Sequence, residues 1–152
     1  IIWRGPMIHN AINQFMQTTD WGELDYMIVD LPPGTSDAPL TVMQVLNLDG
    51  FVVVTSPQAL SKLDAKRSIN MIRKLKINVF GIVENFSGNI FGSGAGETLS
   101  EEMDLPFIGK IDMRPEYLDL TEPAVVSNPL ISAEYESICS SLNEIVAKFS
   151  SS

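Results

Sequence analysis

Asp25-Tyr26-Met27-Ile28-Val29-Asp30-Leu31-Pro32-Pro33-Gly34-Thr35-Ser36-Asp37 reads DYMIVDLPPGTSD. Tyr26 to Asp30 has the apolar make-up of a short buried strand, and Pro32-Pro33-Gly34 stops it. A strand that ends in an acid carries its carboxylate to the carboxyl edge of an α/β sheet, where ligands of such sheets bind. There Asp30 can hold Mg2+ through its water shell, because Mg2+ takes few carboxylates and keeps most of its waters. The Pro32-Pro33-Gly34 turn can bring backbone amides to a phosphate from Gly34 onward, since proline has no N–H, and Gly34 permits close approach. Asp37 can contact the metal's waters or cap the following helix. The plainer reading makes Asp30 a turn residue and Asp37 only a helix cap. The residues of this stretch leave both readings open.

Bulk properties narrow the classes. The chain has 152 residues, 45% hydrophobic and 19% charged, which suits one folded domain with a real core. Its formal net charge of -9 argues against general nucleic-acid binding, which needs a basic face. No apolar run approaches the ~20 residues that span a bilayer, and Ile1-Ile2-Trp3-Arg4-Gly5-Pro6-Met7 is not a signal peptide. The single cysteine, Cys139, excludes an internal disulfide and fits a cytoplasmic setting. It stands beside Ile138 and Leu142 and is expected in the core. His9 is expected on a helix surface.

Around the opening stretch, strands and helices alternate. Helical spacing is expected from Pro6 to about Met16, from Ala38 to Leu46, from Ala59 to Leu75 (through Leu60, Leu63, Ile69, Ile72 and Leu75) and from Glu97 to Met103. A closing helix is expected from Leu130 to Phe149. Strands are expected at Tyr26–Asp30, Phe51–Thr55, Val79–Val83 and Phe107–Gly109, with a glycine-rich loop from Ser87 to Gly96. Apolar strands separated by helices predict an α/β fold, a partial doubly wound and mainly parallel sheet with helices on both faces. Asp30, Thr55 and Asn85 are then expected along one edge. Residues 1–149 read as part of one domain and 150–152 as a disordered tail.

DYMIVDLPPGTSD resembles the metal-binding and switch segment of the Mrp (ApbC) family of P-loop ATPases, relatives of MinD and of the nitrogenase iron protein. Trp3-Arg4-Gly5-Pro6-Met7, Trp21-Gly22-Glu23-Leu24-Asp25-Tyr26, Val54-Thr55-Ser56-Pro57-Gln58 and Gly81-Ile82-Val83-Glu84-Asn85 are similar to further family motifs in the same order. So are Ile90-Phe91-Gly92, Gly94-Ala95-Gly96-Glu97 and Phe107-Ile108-Gly109-Lys110-Ile111. The resemblance implies a MinD-like P-loop NTPase fold, ATP and Mg2+ as cofactors and a homodimer. It also implies work in iron–sulfur cluster assembly or carriage on client proteins, in the cytoplasm, with neither nucleic acid nor membrane as partner. It places Asp30 on Mg2+ through water and Asp37 in the switch as the catalytic residues. Pro32, Pro33, Gly34, Asn85 and Pro115 become nucleotide contacts, with Asn85 reading the adenine edge through its paired donor and acceptor.

Two departures stand out. The family's glycine-rich phosphate loop with its Lys-Ser or Lys-Thr is missing from residues 1–152. The only Gly-Lys pair, Gly109-Lys110, precedes Ile111, and Glu97 spoils a G-x-G-x-x-G reading of Gly92, Gly94 and Gly96. The loop is therefore expected upstream of Ile1, in a longer parent polypeptide, and this stretch alone is expected to bind ATP weakly and hydrolyse it negligibly. Secondly, the Cys-x-x-Cys by which family members bridge a [4Fe-4S] cluster is absent, because Ser87-Gly88-Asn89-Ile90 closes that gap. Two other classes stay open: an ATP-dependent regulatory switch of the MinD/ParA kind, and a non-catalytic scaffold.

Overall fold

The computed structural model describes residues 4–31, 37–119 and 121–150. They fall into two compact units, Ile1–Asp49 and Gly50–Ser152. In the first, α1 (Arg4–Thr18) packs on α2 (Asp37–Val45). Pro6 lies in the first turn of α1, where its missing N–H costs nothing. After the helix, Asp20 Oδ1 accepts the N–H of Gly22 at 3.0 Å, and Gly22 takes a φ of 64° that turns the chain away. Phe15 and Trp21 meet edge to face at 5.2 Å. On α2, Thr41, Val42 and Met43 are buried.

The strand expected at Tyr26–Asp30 does not form. These residues are irregular, and Ile28 is 83% exposed. A strand exists only where a neighbour completes its ladder and buries its side chains. The described residues hold one sheet of three strands, and 26–30 is not among them. Residues 32–36 lie outside the described residues, so the Pro32-Pro33-Gly34 turn does too.

The second unit is built on β1 (Phe51–Thr55), β2 (Val79–Ser87) and β3 (Phe107–Asp112), all parallel, in the order β1-β2-β3. The crossovers are α3 (Ala59–Lys74) and α4 (Ala95–Met103). A 3-10 turn (Pro115–Leu118), α5 (Ala124–Ser127) and α6 (Pro129–Ser150) follow β3. Ile82 and Val83 point to opposite faces of β2, and both are buried, so the central strand is covered on each side. Ile69, Ile82, Leu99 and Ile131 are fully buried, each contributing about 2 kcal/mol of transfer free energy. A Cβ on Gly109 would stand 2.8 Å from Ile138 Cγ1, so this glycine lets α6 settle against β3. Phe80 and Phe149 meet at 5.3 Å on the same side.

The partial α/β parallel sheet agrees with expectation, with local corrections. β2 runs to Ser87, not Val83, and β3 to Asp112, not Gly109, because both strands keep pairing beyond their apolar runs. The buried stripe of α3 is Ala65, Ile69 and Ile72. Leu60 and Leu63 are exposed, since at about 100° per residue neither shares that stripe. Cys139 is exposed rather than part of the core. It stands one position beyond half-buried Ile138, which turns it toward solvent on α6. Ser150 ends α6 as a helical residue, and 151–152 lie outside the described residues. Among the described residues no helix is long and apolar enough to cross a membrane.

Candidate functional site

The carboxyl ends of β1, β2 and β3 lie side by side, with Thr55 paired to Glu84 and Asn85 to Ile111. Glu84 is an acid inside an apolar strand, only 1% exposed. A buried carboxylate persists only when its lone pairs are filled. Ser87 Oγ donates to Oε1 at 2.5 Å, the Gly94 N–H to Oε1 at 3.1 Å and the Gly96 N–H to Oε2 at 2.7 Å. Burial alone would raise its pKa, but the Ser87 hydroxyl and the Gly96, Gly94 and Ala95 amides outweigh that and hold the carboxyl below its ordinary value.

Those amides belong to the start of α4, whose N-cap, Gly94, offers no side chain of its own. Glu84 supplies the missing cap from the neighbouring strand and adds its negative charge to that of Glu97 in the first turn, where the helix dipole favours it. Gly96 is required by the contact, because a Cβ there would lie 2.9 Å from both Glu84 Cβ and Phe107 Cε2. Between the clamped ends, Gly88 and Gly92 exchange backbone hydrogen bonds at 2.9 and 2.8 Å. The loop is thus fixed by main-chain contacts while Ile90 and Phe91 stay exposed.

Next to Glu84, Asn85 is half-buried, and its Oδ1 accepts the N–H of Phe86 at 2.8 Å. The β2–β3 register skips Phe86, with Asn85 opposite Ile111 and Ser87 opposite Asp112. Phe86 is therefore the extra residue of a bulge, at a φ of 60°. For a bulky L-residue this left-handed backbone costs about 1–2 kcal/mol. Past the bulge, the Met113 N–H donates to the Ser87 carbonyl at 2.8 Å, which closes the seam between the strand ends. Arg114 follows and pairs with Glu134 of α6 and, at 3.4 Å, with Asp112. Pro115, exposed, opens the 3-10 turn. In that turn burial pushes the Tyr117 hydroxyl up to about 12, with Tyr135 and Glu134 adding to the shift against the opposing charge of Arg114.

Of the residues expected to form the site, Thr55 and Asn85 are brought to the carboxyl ends of adjoining strands, and Pro115 opens the 3-10 turn three residues past β3. Asp30 lies in the first unit, exposed and outside any strand, and Asp37 is the first residue of α2. His9 is exposed on α1, as expected. Among the described residues no group of three or more His, Cys, Asp and Glu is placed to hold a metal ion. Sequence reasoning missed Glu84 and Phe86. A carboxylate within an otherwise apolar strand was the available signal for the first. Nothing about a phenylalanine signals a left-handed bulge.

A family model described as ParA, NUBPL iron-transfer P-loop NTPase, matches residues 1–149. The iron–sulfur cluster carrier protein of Synechocystis sp. is 42% identical over 164 residues, covering 99% of this chain and 46% of that protein. The cytosolic Fe-S cluster assembly factor CFD1 of Saccharomyces cerevisiae is 37% identical over 163 residues, covering 97% and 56%. Among solved structures, a nucleotide-binding protein from Archaeoglobus fulgidus in complex with ADP superposes with a TM-score of 0.66 at 38% identity. That match covers 74% of this chain and 50% of the other. The chain spans about half the length of the curated relatives it matches.

Proposed function

The chain belongs to the ParA, NUBPL iron-transfer P-loop NTPase family, and from that premise we propose that it contributes the metal, switch and base-reading parts of an ATP-binding protein of iron–sulfur cluster assembly or carriage. The observation that carries this reading is the edge where β2 and β3 end. Asn85 of β2 stands opposite Ile111 of β3 there, and Pro115 opens the 3-10 turn three residues past β3, beside the edge of a parallel sheet where α/β folds hold nucleotides. The ADP-bound relative at 38% identity supports it.

In this reading residues 1–149 are the later part of one P-loop NTPase domain. Asp30 is an exposed single carboxylate, a donor set that fits Mg2+ held through water. Bound Mg2+ supplies charge neutralisation to the phosphates of ATP. Asp37, at the head of α2, belongs to the switch, and Gly34 supplies a backbone N–H to the terminal phosphate, since Pro32 and Pro33 have none. Asn85 and Pro115 receive the base. The protein works as a homodimer in the cytoplasm and passes clusters to client proteins.

The loop where family members carry cluster-binding cysteines does not fit thiolate ligation here. Between β2 and α4 it offers Gly88, Asn89, Ile90, Phe91, Gly92 and Ser93, and the lone thiol, Cys139, is on α6. No cluster step is therefore assigned to that loop.

Calorimetric titration of the encoded polypeptide with ATP, with and without Mg2+, tests the nucleotide half. Asp30→Ala is expected to abolish the Mg2+ dependence of binding and any turnover. Unchanged Mg2+ dependence in that variant rejects the role of Asp30. Iron and sulfide analysis of anaerobically purified protein tests the carrier half, and its absence in protein that still binds ATP leaves a nucleotide switch.

A further inference from the structure

Phe86 combines three unusual features at one position. It is the inserted residue of a bulge in β2, it adopts a φ of 60° and its side chain is 51% exposed. Hydrophobic collapse does not account for that conformation, because the ring gains little burial from it. Bulges near functional sites re-aim a side chain, and a strained backbone persists where the surrounding structure enforces it. Here the enforcement is visible. The Asn85 side chain holds the Phe86 N–H at 2.8 Å, and the Met113 N–H grips the Ser87 carbonyl at 2.8 Å immediately after the bulge. The result is an aromatic ring held at the carboxyl edge of the sheet, directly after Asn85, with no aromatic partner among the described residues.

We infer that Phe86 is a stacking platform for the heterocyclic base of a nucleotide whose edge Asn85 reads. The inference rests on the nucleotide reading above and deepens it. A hydrogen-bonding amide tells one base edge from another, while a ring supplies the sequence-tolerant attraction that any base face accepts. An adjacent pair of this kind gives one contact for orientation and one for affinity. The bulge allows both to sit at neighbouring positions of one strand, where regular pleating would send them to opposite faces.

The test uses the full chain, with ADP as the probe and Phe86→Gly, Phe86→Leu and Phe86→Trp as variants. Glycine suits a φ of 60° better than any other residue, so Phe86→Gly is expected to keep or raise the melting temperature. Its ADP affinity is expected to fall by about fivefold or more, the effect of losing one base–aromatic stack. Phe86→Leu is expected to lose the same affinity and Phe86→Trp to retain it. A role in packing alone predicts the reverse for Leu and a lower melting temperature for Gly. ADP binding by Phe86→Gly within twofold of the wild type overturns the stacking role and leaves the nucleotide reading intact. Failure of the wild-type polypeptide to bind ADP, at concentrations that detect the weak binding expected without the phosphate loop, overturns both.

Discussion

Replacing Glu84 by Gln keeps the size of the side chain and removes its charge. The carboxylate receives hydrogen bonds from Ser87 Oγ, the Gly94 N–H and the Gly96 N–H, at a site 1% exposed. A glutamine offers one oxygen and one NH2 in place of two acceptors. One of the two glycine amides must then face a donor and loses its partner. A buried unsatisfied N–H costs roughly 1–3 kcal/mol. Loss of the negative charge at the start of α4 removes up to about 2 kcal/mol more. We expect Glu84→Gln to be destabilised by about 3 kcal/mol, a large part of the ~5–15 kcal/mol available to a domain of this kind. Urea unfolding at neutral pH measures it as a drop in midpoint at unchanged slope. Amide exchange should report faster opening at Gly94 and Gly96 than in α3. A midpoint close to the wild type, with Gly96 still protected, would refute the claim that this carboxylate fixes the loop.

The same group sets a pH dependence. Its pKa is depressed in the fold, so its contribution is complete above the unfolded value, near 4.5, and is lost as pH falls through the folded one. Wild type and Glu84→Gln should therefore converge in stability under acid titration. Gly96→Ala places a Cβ 2.9 Å from Glu84 Cβ and Phe107 Cε2, and should cost roughly 1–3 kcal/mol by thermal or urea unfolding. Tyr117 titrates at about 12 in the fold against 10.0 as its ordinary value. Stability from its neutral form is present below pH 10 and lost as pH rises toward 12. Tyrosinate absorbance should show one phenol of the wild type, missing in Tyr117→Phe, still protonated at pH 11.

How far the sequence could be read follows from which physical signals are local. FVVVT (Phe51–Thr55) and the stripe Ala65, Ile69, Ile72 have periods that belong to their own segments, and β1 and α3 form there. Tyr26–Asp30 has an equally clear strand composition but no ladder partner in the described sheet, and a ladder is a property of two segments. Cys139 was misplaced by adjacency to apolar neighbours, because one step along a helix turns about 100°. The proposed role of Asn85 comes from resemblance, while its position near the end of β2 was legible from the apolar run before it. The clamp at Glu84 depends on Gly94 and Gly96 folding back across the loop, a contact that no local pattern encodes.

The loop after β2 has a consequence for variation. It is pinned by the Glu84 carboxylate on two main-chain amides and by the mutual pairing of Gly88 with Gly92. None of these contacts consults the identity of Asn89, Ile90, Phe91 or Ser93. Side chains at those positions can be exchanged wholesale while the frame that presents them keeps its shape. The segment behaves as an interchangeable cassette between two fixed anchors, so its chemistry can drift between members of one lineage without disturbing the sheet beneath.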